Sequence, residues 1–135
     1  MSKILNRTEI LNMNDIVVEE VHVPEWGEDA IVYVKGMTGR ERDQFEASLV
    51  EMRGGRTTHI KLENVRAKLV ALTTCDESGE RLFTSKDAEE LGKKSASALQ
   101  RLFEVSQRLS GLTPADVDEL VKGLEEDPFA ASPSA

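Results

Sequence analysis

Few residues in this chain have the types and spacing to do chemistry. Asp76 and Asp87 bracket a twelve-residue stretch with oxygen ligands at both ends, the outline of a calcium loop. Such a loop needs glycine at its sixth position and a bidentate glutamate at its twelfth. The sixth position is Arg81, the glycine falls at the fourth as Gly79, and the twelfth is Asp87. A solvated turn feeding a helix cap explains the same residues. His22 and His59 are the two histidines. They are far apart, with no cysteine or paired carboxylate at ligand spacing, so neither reads as a ligand or general base. His22 falls on the exposed face of an expected strand, and His59 in a loop before a helix.

Cys75 is the single cysteine. At a helix end the dipole raises a thiol pKa, so it reads as a half-buried structural residue. Gly54-Gly55 is followed by no lysine–serine pair, so no phosphate-cradling loop is present. Carboxylates are numerous, but none stands apart from a solvated face. No catalytic, metal or cofactor residue is assigned, and the expectation is a protein without enzymatic activity.

The residues speak more plainly about where helices begin. Thr38–Glu41, Thr84–Asp87 and Thr113–Asp116 each place an acid three residues after a threonine. The hydroxyl can accept the N3 backbone N–H while the acid reaches back to the cap N–H. The first box opens a helix over 39–52 with Phe45, Leu49 and Met52 on one stripe, ended by Gly54-Gly55. A second helix is expected over 60–73 with Leu62, Val65, Leu69 and Leu72 on one face. A turn over 75–79 and a short extended piece over 81–83 follow, and then the Thr84 box starts a short helix closed by Gly92.

Ser95 caps the next helix, with Leu99, Leu102, Phe103, Ser106 and Leu109 at helical spacing and Gly111 at the C′ position. The third box is the best formed. Thr113 is the cap, Pro114 stands at N1, Asp116 at N3, and Leu112 can staple onto Val117. Its helix presents Val117, Leu120, Val121 and Leu124.

Ahead of these helices the period changes. Residues 4–13 suit a short amphipathic helix. Residues 17–23 and 30–34 alternate or are β-branched, and the Pro24–Asp29 loop between them predicts a hairpin over 17–35. The expected fold class is α+β, mostly α: an N-terminal β-hairpin, then a bundle of four to five short helices. It forms one domain over 1–124, with 125–135 an acidic, Pro/Ser-broken tail that reads as disordered.

Composition narrows the partners. The formal charge is −8, with three basic and seven acidic residues in 1–35 and one basic and six acidic in 112–135. Acidic ends repel phosphate, and no basic stripe interleaved with aromatics occurs, which disfavours nucleic acid. No apolar run approaches the ~20 residues of a bilayer span, and the N-terminus lacks a signal-peptide core. The cytoplasm is the expected compartment. Trp26, the one tryptophan, suits either a partner anchor or the closing residue of a small core.

Two stretches together carry a resemblance. One is Val21–Gly27, the strand Ile31–Lys35 and Met37–Glu46. The other is Leu72–Thr84 followed by Asp87, Leu91-Gly92 and a Ser/Ala-rich helix. In that order and spacing they resemble the tail assembly chaperones of siphovirus-type bacteriophages and related prophages, over roughly residues 15–125. The resemblance implies a non-enzymatic protein that binds the tape measure protein and keeps it soluble while the tail tube polymerises. It also implies a C-terminal extension added by frameshifting in many members, and assigns no catalytic residue. Further partners on this reading are the tail tube protein, the frameshifted form and further copies of the chain.

Client contacts are expected at Trp26, Val117, Leu120, Val121 and Leu124. The alternative is a structural minor tail or head–tail joining subunit retained in the virion.

Overall fold

The computed structural model describes residues 2–54 and 62–125. Helix α1 spans Arg7–Leu11, strand β1 Val18–His22 and strand β2 Ile31–Lys35. Helices α2 (Gly39–Gly54) and α3 (Leu62–Thr73) follow, then strand β3 (Thr74–Cys75). Helices α4 (Ala88–Leu91), α5 (Ala96–Leu109) and α6 (Pro114–Glu125) complete the order. This is the expected hairpin followed by helices, mostly α with a small sheet.

β1 and β2 pair antiparallel in an unbroken register from Val18↔Lys35 to His22↔Ile31. Alternation sends Val21 and Val23 inward with Val34 of β2, while Val18, Glu20 and His22 are exposed. Between the strands, Pro24–Trp26 forms a 3-10 turn. The third strand was not expected. The sequence reading gave Cys75 to a turn, whereas Thr74 and Cys75 pair antiparallel with Val34 and Tyr33 of β2. α3 runs into β3 with no loop between them. The Thr73 and Thr74 hydroxyls donate to the Leu69 and Val70 carbonyls at 2.8 and 2.7 Å. Both bonds run from a threonine hydroxyl back to the carbonyl four residues earlier, the local pairing that serine and threonine make on a helix.

Cys75 is 1% exposed, buried rather than half-buried. Its thiol pKa is raised chiefly by desolvation, with Asp76 adding to it and Lys35 opposing, so burial is the cause rather than the helix dipole. After it the chain turns on Asp76. That carboxylate accepts from the Ser78 and Glu80 N–H groups at 2.8 and 3.0 Å, and Gly79 takes φ +92°. Its oxygens close a turn, as the solvated-turn reading held.

All three threonine boxes are at helix starts. Thr38 and Glu41 exchange bonds of 2.9 and 3.1 Å, and Thr113 and Asp116 bonds of 2.9 and 3.0 Å. Asp87 accepts from the Thr84 N–H at 2.8 Å, opening a 3-10 turn over Ser85–Asp87 that leads into α4. A fourth box escaped the sequence reading because its cap is asparagine. Asn6 and Glu9 exchange bonds of 3.2 and 2.9 Å and open α1. α1 is shorter than the expected 4–13 and buries none of its residues.

α5 is the central element, packed against α3 on one side and β2 on the other. Leu99, Leu102, Phe103 and Ser106 of α5 join Val65, Leu69 and Val70 of α3, Phe45 and Leu49 of α2, and the inward valines of the sheet. Each such large side chain contributes roughly 1.5–3 kcal/mol by leaving water. Within this apolar layer the Thr73 and Ser106 hydroxyls meet at 2.8 Å, both almost wholly buried. Two surface ion pairs join the hairpin region to α5: Glu19 with Arg108, and Glu25 with Arg101. The end of β2 is also seated on α5. The Met37 N–H donates to the Ser110 hydroxyl at 3.0 Å, and a Cβ at Gly36 would overlap the Leu109 carbonyl.

The expected helix start at Ile60, the loop residue His59 and the tail beyond residue 125 lie outside the described residues. So do the side chains of Met52 and Leu62.

Candidate partner-binding cleft

The turn between α5 and α6 builds an open apolar cleft. α5 ends on Ser110, and Gly111 follows with φ +74°, a left-handed conformation that costs glycine little. The Gly111 N–H donates to the Arg108 carbonyl at 3.2 Å and the Leu112 N–H to the Gln107 carbonyl at 2.9 Å. This pair of bonds is a Schellman motif, which drives the residue after the glycine back onto the helix. Leu112 is accordingly buried, Thr113 caps α6, and Val117 packs beside Leu112 in the core as the staple predicts.

Between this turn and α5 lies a cleft of about 620 Å³. One wall comes from α5 residues one and two turns apart, Gln100, Phe103, Glu104, Gln107 and Arg108. The other comes from Leu112, Thr113, Pro114, Val117 and Asp118. Arg66 of α3 closes one end, its guanidinium 5.7 Å from the centre of the Phe103 ring. The Arg66 Nε is buried with no hydrogen-bond partner among the described residues. The floor is apolar and the rim carries both signs of charge. Such a surface can take apolar side chains from a helical partner.

Of the expected contact residues, Val117 is in this cleft, on its floor at 6% exposure. The side chains of Leu120, Val121 and Leu124, one and two turns further along α6, lie outside the described residues. Trp26 stands elsewhere, on its 3-10 turn, 38% exposed. Its neighbour Glu25 fixes that turn to α5 by accepting from Arg101 at 2.9 Å and Ser97 at 2.8 Å. The Arg101 bond, then the Glu25 backbone N–H and Ser97, hold the Glu25 pKa at about 2.

Arg66 and Gln107 were not singled out in the sequence. Phe103 was legible only as part of the α5 stripe. Among the described residues, no three His, Cys, Asp or Glu side chains gather as a metal site would require. The exposed His22 contacts the Glu28 carbonyl at 3.1 Å.

An open cleft with an apolar floor and a charged rim fits a protein that holds other proteins. The family model for phage tail assembly chaperones matches residues 7–122. The chain belongs to that family. The matched span contains the hairpin, the sheet and every residue of the α3–α5–α6 cleft. No curated protein and no solved structure matches the chain. No described helix of this chaperone is long and apolar enough to cross a membrane.

Proposed function

We propose that this chaperone binds the tape measure protein in the host cytoplasm and keeps it soluble while the tail tube assembles around it. The family match over residues 7–122 carries the reading. The open apolar cleft supports it, because a long helical client exposes apolar stripes that need cover. Net charge of −8 supports it too, since an acidic surface keeps a loaded complex dispersed. Val117, and beyond it Leu120, Val121 and Leu124 of α6, are the proposed client contacts, with Trp26 as a second anchor. The tail tube protein, a frameshifted form and further copies of the chain are the additional proposed partners.

Co-expression with the tape measure protein is the test. The client should become soluble and co-purify, and Gln107→Arg at the mouth of the cleft should reduce that recovery severalfold without unfolding the chaperone. No gain in client solubility would refute the reading. So would mass spectrometry finding the chain as a stoichiometric component of purified virions.

A further inference from the structure

The sheet has the order β1-β2-β3, so β1 is open along one side. Which backbone groups it offers follows from the ladder. The Val17 carbonyl accepts from the Gly36 N–H, the Val23 N–H donates to the Ala30 carbonyl, and Glu19 and Val21 stand opposite Val34 and Val32. Alternate residues of an antiparallel strand turn both polar groups to the same neighbour. Val17, Glu19, Val21 and Val23 therefore look toward β2. The N–H and C=O groups of Val18, Glu20 and His22 point away from the sheet, and all three residues are exposed.

Proteins normally blunt such an edge with proline, a bulge, lysine or a covering element. β1 has no proline, lysine or bulge, and no described residue hydrogen-bonds to its outer side.

The surroundings select a partner. Glu20 stands mid-edge, and Glu28 and Asp29 sit in the hairpin loop; none of the three has a cationic partner among the described residues. Val17, Val18 and Ile31 add apolar surface at 57, 41 and 44% exposure. A second copy paired antiparallel about Glu20 would set that carboxylate against its equivalent, an unfavourable cross-strand pair. A basic strand has the complementary charge.

We propose that the β1 edge accepts an extended segment of a partner protein as a fourth strand, with lysine or arginine opposite Glu20 and an aliphatic residue opposite Val18. Main-chain bonds from Val18, Glu20 and His22 hold the segment, and the acids set its charge. This surface is formed by other residues than the α3–α5–α6 cleft and does not depend on it.

The test uses the full chain and two short synthetic peptides that carry valine and a charged residue two positions apart on the same strand face, the charged residue being lysine in one and glutamate in the other. Amide NMR shifts should concentrate at Val18, Glu20 and His22 with the lysine peptide and weaken as salt rises. The glutamate peptide should bind roughly tenfold more weakly. Glu20→Pro removes an outward donor without touching the β1–β2 ladder, so the fold should persist and binding should be lost. Glu20→Lys should fold and reverse the preference between the peptides. Equal binding of both peptides, a preference unchanged by Glu20→Lys, or shifts centred away from β1 would overturn the proposal. Dimerisation of the free chain through β1, abolished by Glu20→Pro, would assign the edge to a second copy and overturn it equally.

Discussion

Gly36→Ala tests whether the end of β2 is locked onto the end of α5. A Cβ at position 36 would lie 3.0 Å from the Leu109 carbonyl carbon and closer still to its oxygen, where ordinary contact begins near 3.4 Å. Both atoms are backbone, so no flexible side chain can swing aside. Neither segment can retreat freely. The Gly36 N–H is bonded to the Val17 carbonyl at 3.1 Å, the Met37 N–H to the Ser110 hydroxyl at 3.0 Å, and Leu112 to Gln107 at 2.9 Å. Overpacking of this kind costs about 1–3 kcal/mol, and losing the Met37–Ser110 bond adds about 1 kcal/mol. Restricting the unfolded chain offsets about 0.4–1 kcal/mol of that.

A net destabilisation of about 2 kcal/mol is expected, roughly 6–10 °C in Tm for a chain of this length. Urea unfolding followed by far-UV circular dichroism measures it. Gly39→Ala is the control, since nothing lies within 4 Å of a Cβ there. It should be neutral or stabilising by up to about 1 kcal/mol, because alanine is the better helix former. A Gly36→Ala protein within about 0.5 kcal/mol of the parent would refute the locked junction.

Two further outcomes concern α5. Thr73 already donates to the Leu69 carbonyl, so its bond with Ser106 is donated by the serine. Ser106→Ala should cost about 1 kcal/mol in urea unfolding, whereas Thr73→Val, which strips Ser106 of its acceptor, should cost about 1–3 kcal/mol. The second outcome is pH-dependent. The folded pKa of Glu25 is about 2 against an ordinary 4.5, so its contribution is complete above pH 4.5 and lost as pH falls toward 2. Glu25→Gln should flatten the stability profile across that window, and a profile unchanged by the substitution would contradict the Arg101 contact.

The helix starts were legible because a cap is a local device: Thr38 and Thr113 meet their acids within one turn, whatever else the chain does. The hairpin was legible for a similar reason, in the alternation around Val21 and Val23. β3 was hidden because its two residues end an apolar helix, and only β2, some forty positions earlier, makes them a strand. The cleft was hidden more deeply. Arg66, Phe103 and Val117 belong to three helices, and no periodicity announces that their surfaces leave a gap. Val117 was named as the staple partner of Leu112 and as a client contact, but its spacing did not tell that it lines a cleft with Arg66 and Phe103.

The seamless passage from α3 into β3 has a mechanical consequence. Arg66 lies on the cleft and Cys75 in the sheet, on one continuous stretch of backbone with no loop to absorb motion between them. Any shift of α3 along its axis would therefore push on β3 and, through its ladder to β2, on the hairpin. The helix is a lever whose short arm is woven into the sheet, so α3 and the sheet move as one piece.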